Sequence, residues 1–158
     1  MKKILYSITL LFTAMAVMTA CSTTKSATTT SLGRGKVTGT WTVNSITYDG
    51  IAEGAVQSLF DQGTPGVFQG STWTLTNSGK GMYVLNNGTI QSIFWGLNNT
   101  SDTPEFTFKK LNEGDKAKNV EAGYKLLVSN ADGENLTLKA PVQYSGSTGY
   151  IVFNMVKK

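Results

Sequence analysis

Residues 39–50, GTWTVNSITYDG, and 68–85, FQGSTWTLTNSGKGMYVL, decide the fold of this chain. In the first, Thr40–Tyr48 alternates, is rich in Thr and Val, and sets Trp41 and Val43 on one face of a strand. Ile46 and Tyr48 have the opposite parity, so a β-bulge near Ser45 is expected to return all four to one side. In the second, Trp73 and Leu75 alternate with Thr72, Thr74 and Thr76, and Asn77-Ser78-Gly79 reverses the chain. A period of two, β-branched residues and glycine turns point to antiparallel β structure.

The pattern continues to the end of the sequence. Gly81–Asn86 and Thr89–Leu97 flank Asn87-Gly88, a two-residue hairpin signal. That turn would set Tyr83, Leu85, Ile90 and Phe94 on one side and Met82, Val84, Ile93 and Trp95 on the other. Both sides are largely apolar. Strands are also expected at Glu105–Leu111 with Phe106 and Phe108 inward, and at Gly123–Asn130 with Tyr124, Leu126 and Val128 on one face. Leu136–Ala140, with Leu136, Leu138 and Ala140 aligned, and Tyr150–Lys157 complete the series. About eight short consecutive strands suit a sandwich or an up-and-down barrel, and closure removes exposed edges. The exception is Glu53–Asp61, where Ala55, Val56, Leu59 and Phe60 stand at helical spacing before Gly63 and Pro65. A short amphipathic helix is expected there.

Histidine is absent and there is one cysteine. The usual general base and metal ligand are therefore missing, and Ser-His-Asp or Cys-His catalysis is impossible. Glu113, Asp115 and Glu121 alternate with Lys116 and Lys118, the pattern of a solvated loop and not of a catalytic carboxylate pair or metal site. No catalytic residue, metal site or cofactor is expected. The formal charge of +4 includes Lys2 and Lys3 of the leader, and no lysine-arginine cluster follows, so nucleic acid is not an expected partner.

The leader locates the protein. Lys2 and Lys3 precede an apolar run of about fifteen residues, shorter than the roughly twenty a spanning helix needs. Met18-Thr19-Ala20-Cys21 then resembles the lipobox of bacterial lipoproteins. That likeness implies cleavage before Cys21 and acylation of its thiol and new amino group, with chains such as palmitate. Each buried methylene contributes about 0.8 kcal/mol, so several chains hold where one is marginal. Residues 1–20 are thus expected as a signal peptide and 21–36, polar and without periodicity, as a flexible tether. The folded domain is expected at 37–158, anchored in the bacterial envelope at the outer membrane.

Gly39-Thr40-Trp41 resembles the Gly-X-Trp signature of lipocalins. The order of one strand, a long segment at 51–70 and a meander of strands is similar to the small lipocalin-like lipoproteins of Gram-negative envelopes. The resemblance implies an all-β, eight-stranded up-and-down antiparallel barrel with one short helix in its first long loop. Gly39 and Trp41 would form its floor, and Val56, Leu59 and Phe60 a lid over the open end. It also implies a small hydrophobic or amphipathic ligand, for which Trp73, Leu75, Phe106, Phe108, Tyr124, Leu126 and Leu138 are the candidates. The arginine that lipocalins often stack on the floor Trp has no counterpart near the last strand; Lys157 is the nearest cation, and Arg34 precedes the first strand. The same inward rings also suit a filled barrel acting as a non-catalytic structural or protein-interaction module, with Met82, Ile93 and Trp95 partly exposed.

Overall fold

The computed structural model describes residues 31–120 and 123–158. The leader, Cys21 and the first part of the expected tether lie outside the described residues. The strands are β1 (Gly39–Asp49), β2 (Thr72–Leu75), β3 (Lys80–Val84), β4 (Ile90–Asn98), β5 (Glu105–Leu111), β6 (Tyr124–Ala131), β7 (Asn135–Tyr144) and β8 (Ser147–Lys157). Each pairs antiparallel with the next, and β8 returns to pair with β1. The result is the closed eight-stranded up-and-down barrel expected from the sequence.

The bulge in β1 lies where the change of parity requires it. The β1–β8 register shifts between Val43 and Ser45. Before the shift Val43 lies opposite Met155; after it Ile46 lies opposite Phe153 and Tyr48 opposite Ile151. Residues directly opposite one another share a face. Met155, Phe153 and Ile151 are all buried, so the extra residue keeps the apolar side chains of β1 inside along its whole length.

The β3–β4 hairpin differs from its expected register. Leu85 N–H donates to the Thr89 carbonyl and Gly88 N–H to the Leu85 carbonyl, with Gly88 at φ 86°. Asn87-Gly88 thus closes a three-residue loop with glycine in the left-handed position, instead of a two-residue turn. Val84 then pairs with Ile90 and Tyr83 with Gln91. A slip of one residue exchanges the faces of a strand. Ile93 and Trp95 turn inward with Tyr83 and are buried, whereas Met82, Ile90 and Phe94 face solvent. Of Met82, Ile93 and Trp95, which the second reading leaves partly exposed, only Met82 is exposed; Ile93 and Trp95 belong to the core.

The amphipathic helix expected at Glu53–Asp61 is also absent. That stretch is a series of turns, and the helix of the first long loop is one 3-10 turn at Pro65–Phe68. Pro65 at its start supplies a preset φ and has no N–H to leave unpaired. Leu59 and Phe60 are nevertheless buried, because the loop folds back between Leu59 and Gly63 and drives both side chains into the barrel end.

The opposite end is the floor. Residues 32–36, assigned by composition to the tether, pack on it: Leu32 joins the core cluster and Arg34–Lys36 forms a 3-10 turn. Val37 and Trp41 are fully buried, and Trp41 Nε1 donates to the Val37 carbonyl at 2.7 Å. Two cations serve the floor. Lys157 Nζ lies 5.5 Å from the Trp41 ring centre, and the Arg34 guanidinium lies 4.0 Å from that of Trp95. Such contacts favour a cation over the ring face. Gly39, at φ 144°, leaves the passage for this lysine; a Cβ there would meet Lys157 Cε at 2.9 Å. Gly39→Ala is expected to lower stability by about 1–3 kcal/mol through strained backbone and displaced lysine. Urea unfolding measures this directly.

Candidate functional site

The mouth is the end at which β1, β3, β5 and β7 finish, and the loop 50–71 crosses it. The candidate residues Trp73, Leu75, Phe106, Phe108, Leu126 and Leu138 are all buried inside, and Tyr124 is half-buried at the rim. They do not line an empty cup. The bore is packed with rings, Phe108 lying 5.7 Å from Trp73, 6.1 Å from Phe106 and 5.0 Å from Tyr124 between centres. Of the two interiors the sequence left open, the rings make the filled one here: small barrels reach interior density by filling themselves with large side chains.

Part of the filling comes from the loop that crosses the mouth. Phe60 is buried with its ring 5.0 Å from both Phe108 and Tyr124, 5.5 Å from Phe68 and 5.9 Å from Phe153. It meets Phe68 and Phe108 edge to face and lies nearly parallel to Phe153. These are the favourable arrangements of aromatic pairs. Phe60 and Asp61 have φ of 51° and 52°, the left-handed region that non-glycine residues seldom adopt. Two consecutive residues are held there so that one ring enters the bore. Of the expected lid set, Leu59 is also buried and Val56 packs partly against the core.

A latch holds the tip of this loop. Lys110 Nζ donates to the Phe60 carbonyl at 2.9 Å and lies 3.5 Å from Asp61 Oδ2. The Tyr124 hydroxyl donates to the same carboxylate oxygen. Farther along the lid, Asn86 donates from its backbone to Val67 and from its side chain to Gly66. The Tyr124 hydrogen bond, with Lys110 beside it, holds the Asp61 carboxyl below its ordinary range. Burial first, then the hydrogen bond and charge of Asp61, raise Tyr124 to about 12.

The two shifts give opposite pH limits. The contribution of Asp61 is present above the ordinary carboxylate range and is lost as the pH falls through its lowered pKa. That of Tyr124 is present below the ordinary tyrosine value of 10.0 and is lost as the pH rises towards 12. In an absorbance titration of tyrosinate, Asp61→Asn is expected to lower the Tyr124 midpoint without returning it to 10.0, since burial remains. An unchanged midpoint would show that the latch does not form in solution.

Asp61, Phe68, Tyr83, Lys110 and Phe153 belong to the mouth without having been expected there. Tyr83 is fully buried, and its hydroxyl has no hydrogen-bond partner among the described residues. Burial is the main cause of its raised pKa, followed by the charge of Tyr124; the Gln62 side chain acts the other way, and Asp61 adds a smaller upward push. The Gln62 amide, however, donates to Gln91 Oε1 at 3.4 Å. On the outer wall, by contrast, a groove of about 690 Å³ runs beside Phe94, Thr107, Lys109 and Lys125, outside the bore. Among the described residues no group of three or more metal-ligating side chains comes together.

No protein-family model matches the chain, and neither does a curated protein. Among solved structures, a lipocalin-like protein from Bacteroides uniformis is similar, with 16% sequence identity and a TM-score of 0.43. The likeness covers 78% of this chain and 99% of that one.

Proposed function

We propose that the barrel is a non-catalytic carrier that takes a small apolar or amphipathic guest at its mouth, in exchange for the ring of Phe60. One observation carries this reading. The ring that fills the mouth belongs to a loop and not to the wall, and it stands on two consecutive left-handed non-glycine residues. Backbone outliers of this kind cluster at ligand clamps and switches. A guest replacing Phe60 would gain roughly 25 cal/mol for each Å² of apolar area removed from water. Through Cys21, the acylated tether would hold the barrel at the outer membrane, where apolar metabolites concentrate.

The packed bore favours a second reading, a solid barrel that acts through its surface. The discriminating experiment combines mass spectrometry of small molecules co-purifying with the full chain and titration with a small solvatochromic apolar dye. A stoichiometric guest, or saturable uptake abolished by a bulkier side chain at Phe108, supports the carrier. Neither result in either measurement leaves the solid barrel.

A further inference from the structure

We propose that the place held by Phe60 accepts a neutral, single-ring aromatic compound carrying a carbonyl-type acceptor, which the buried Tyr83 hydroxyl recognises. The inference rests on the carrier reading and names its ligand class.

The shape of the place favours a ring. Phe60 is flanked edge to face by Phe68 and Phe108 and lies almost parallel to Phe153, at 20°. These walls leave a flat slot, and a flat guest keeps the same edge and face contacts. Apolar cavities of about 150 Å³ already hold benzene without admitting water. A long acyl chain would need more of the bore than one phenyl ring vacates, because Trp73, Phe106 and Phe108 occupy the space below.

The chemistry of the guest follows from Tyr83. Its ring lies 5.9 Å from Phe68 and 6.4 Å from Phe108, the two rings that also touch Phe60. A group entering between those rings borders Tyr83. Among the described residues no acceptor receives the hydroxyl, the Gln62 amide nearby being able only to donate to it through its nitrogen, and a buried donor without an acceptor is costly. Natural interiors rarely leave one so without a role. A guest acceptor would complete it. Charge is disfavoured, since the place is walled by the rings of Phe68, Phe108 and Phe153, and a carboxylate buried among them would have no counter-ion there.

The test compares acetophenone with its apolar counterpart isopropylbenzene, by calorimetry on the full chain and on its Phe60→Ala variant. The affinity ratio of the two probes is the readout, which cancels the general gain from burying a ring. Adding Tyr83→Phe is expected to lower that ratio about tenfold, the size of one neutral hydrogen bond. A ratio unmoved by Tyr83→Phe overturns the inference while leaving the carrier intact. Failure of both probes to bind either protein overturns both. Tyr83→Phe removes only a hydroxyl that has no hydrogen-bond partner among the described residues, so folding should survive it. The ratio measured with Phe60 in place carries the test if the alanine variant does not fold.

Discussion

Replacing Phe60 by alanine is expected to lower the stability of the barrel by about 2–3 kcal/mol. It is also expected to leave the fold intact and to open the mouth to small apolar probes. Removing a buried phenyl ring from a rigid core costs about 3–5 kcal/mol, part of it for the cavity that remains. Phe60 differs from a wall residue in one respect: its backbone is in a loop, tied by Lys110 and by the Leu59–Gly63 contact, and not in the strand ladder. The loop can therefore relax, and the loss falls below the usual range. The left-handed backbone supplies an independent check. Alanine keeps the unfavourable φ of 51°, whereas glycine adopts it freely. Phe60→Gly is thus expected to be more stable than Phe60→Ala by about 1 kcal/mol, against the usual order for these residues. Urea titrations with a common slope measure both differences. A loss at the top of the range for alanine, with no gain from glycine, would make Phe60 an ordinary core residue.

At the other end, Trp41→Ala is expected to cost about 4 kcal/mol or more. The indole is wholly buried, and its N–H satisfies the Val37 carbonyl. The variant loses the burial and leaves that acceptor without its partner. It also loses the ring under Lys157. The floor segment should detach before the barrel opens. Val37 and Thr38 N–H groups, which donate to the Arg34 carbonyl at 2.9 and 2.8 Å, should then exchange with deuterium far faster. Unchanged protection of these amides would mean that the 3-10 turn at Arg34–Lys36 holds without the tryptophan.

How much of this was legible in the sequence depended on how local the deciding interaction is. The bulge near Ser45 was readable because it answers to one strand: Trp41 and Val43 disagree in parity with Ile46 and Tyr48, and a closed barrel has only one inside. The β3–β4 register was not. Asn87-Gly88 fits both a two-residue turn and a three-residue loop with Gly88 left-handed, and the choice moves Trp95 from surface to core. Strands largely apolar on both faces carry too little alternation to arbitrate. The helix expected over Glu53–Asp61 failed for a related reason. The spacing of Ala55, Val56, Leu59 and Phe60 marks side chains that need burial, but it does not say whether a helix or a folded loop buries them. Here the mouth supplies aromatic partners from β5, β6 and β8, distant in sequence. For the same reason the inward set Trp73, Phe106, Phe108 and Leu126 was identified from alternation, while the latch of Asp61, Lys110 and Tyr124 was not. Those three residues meet only once the barrel closes.

The central claim is that Phe60 leaves the bore when a guest enters. A single 4-fluorophenylalanine at position 60 reports this through its fluorine resonance. In the free protein the account predicts one ring-shifted signal from a probe enclosed by Phe68, Phe108, Tyr124 and Phe153. Saturation with acetophenone should replace it, stoichiometrically, by the sharp signal of a solvated ring. A signal that stays at its buried position under saturating probe would contradict the exchange and leave a permanently filled barrel.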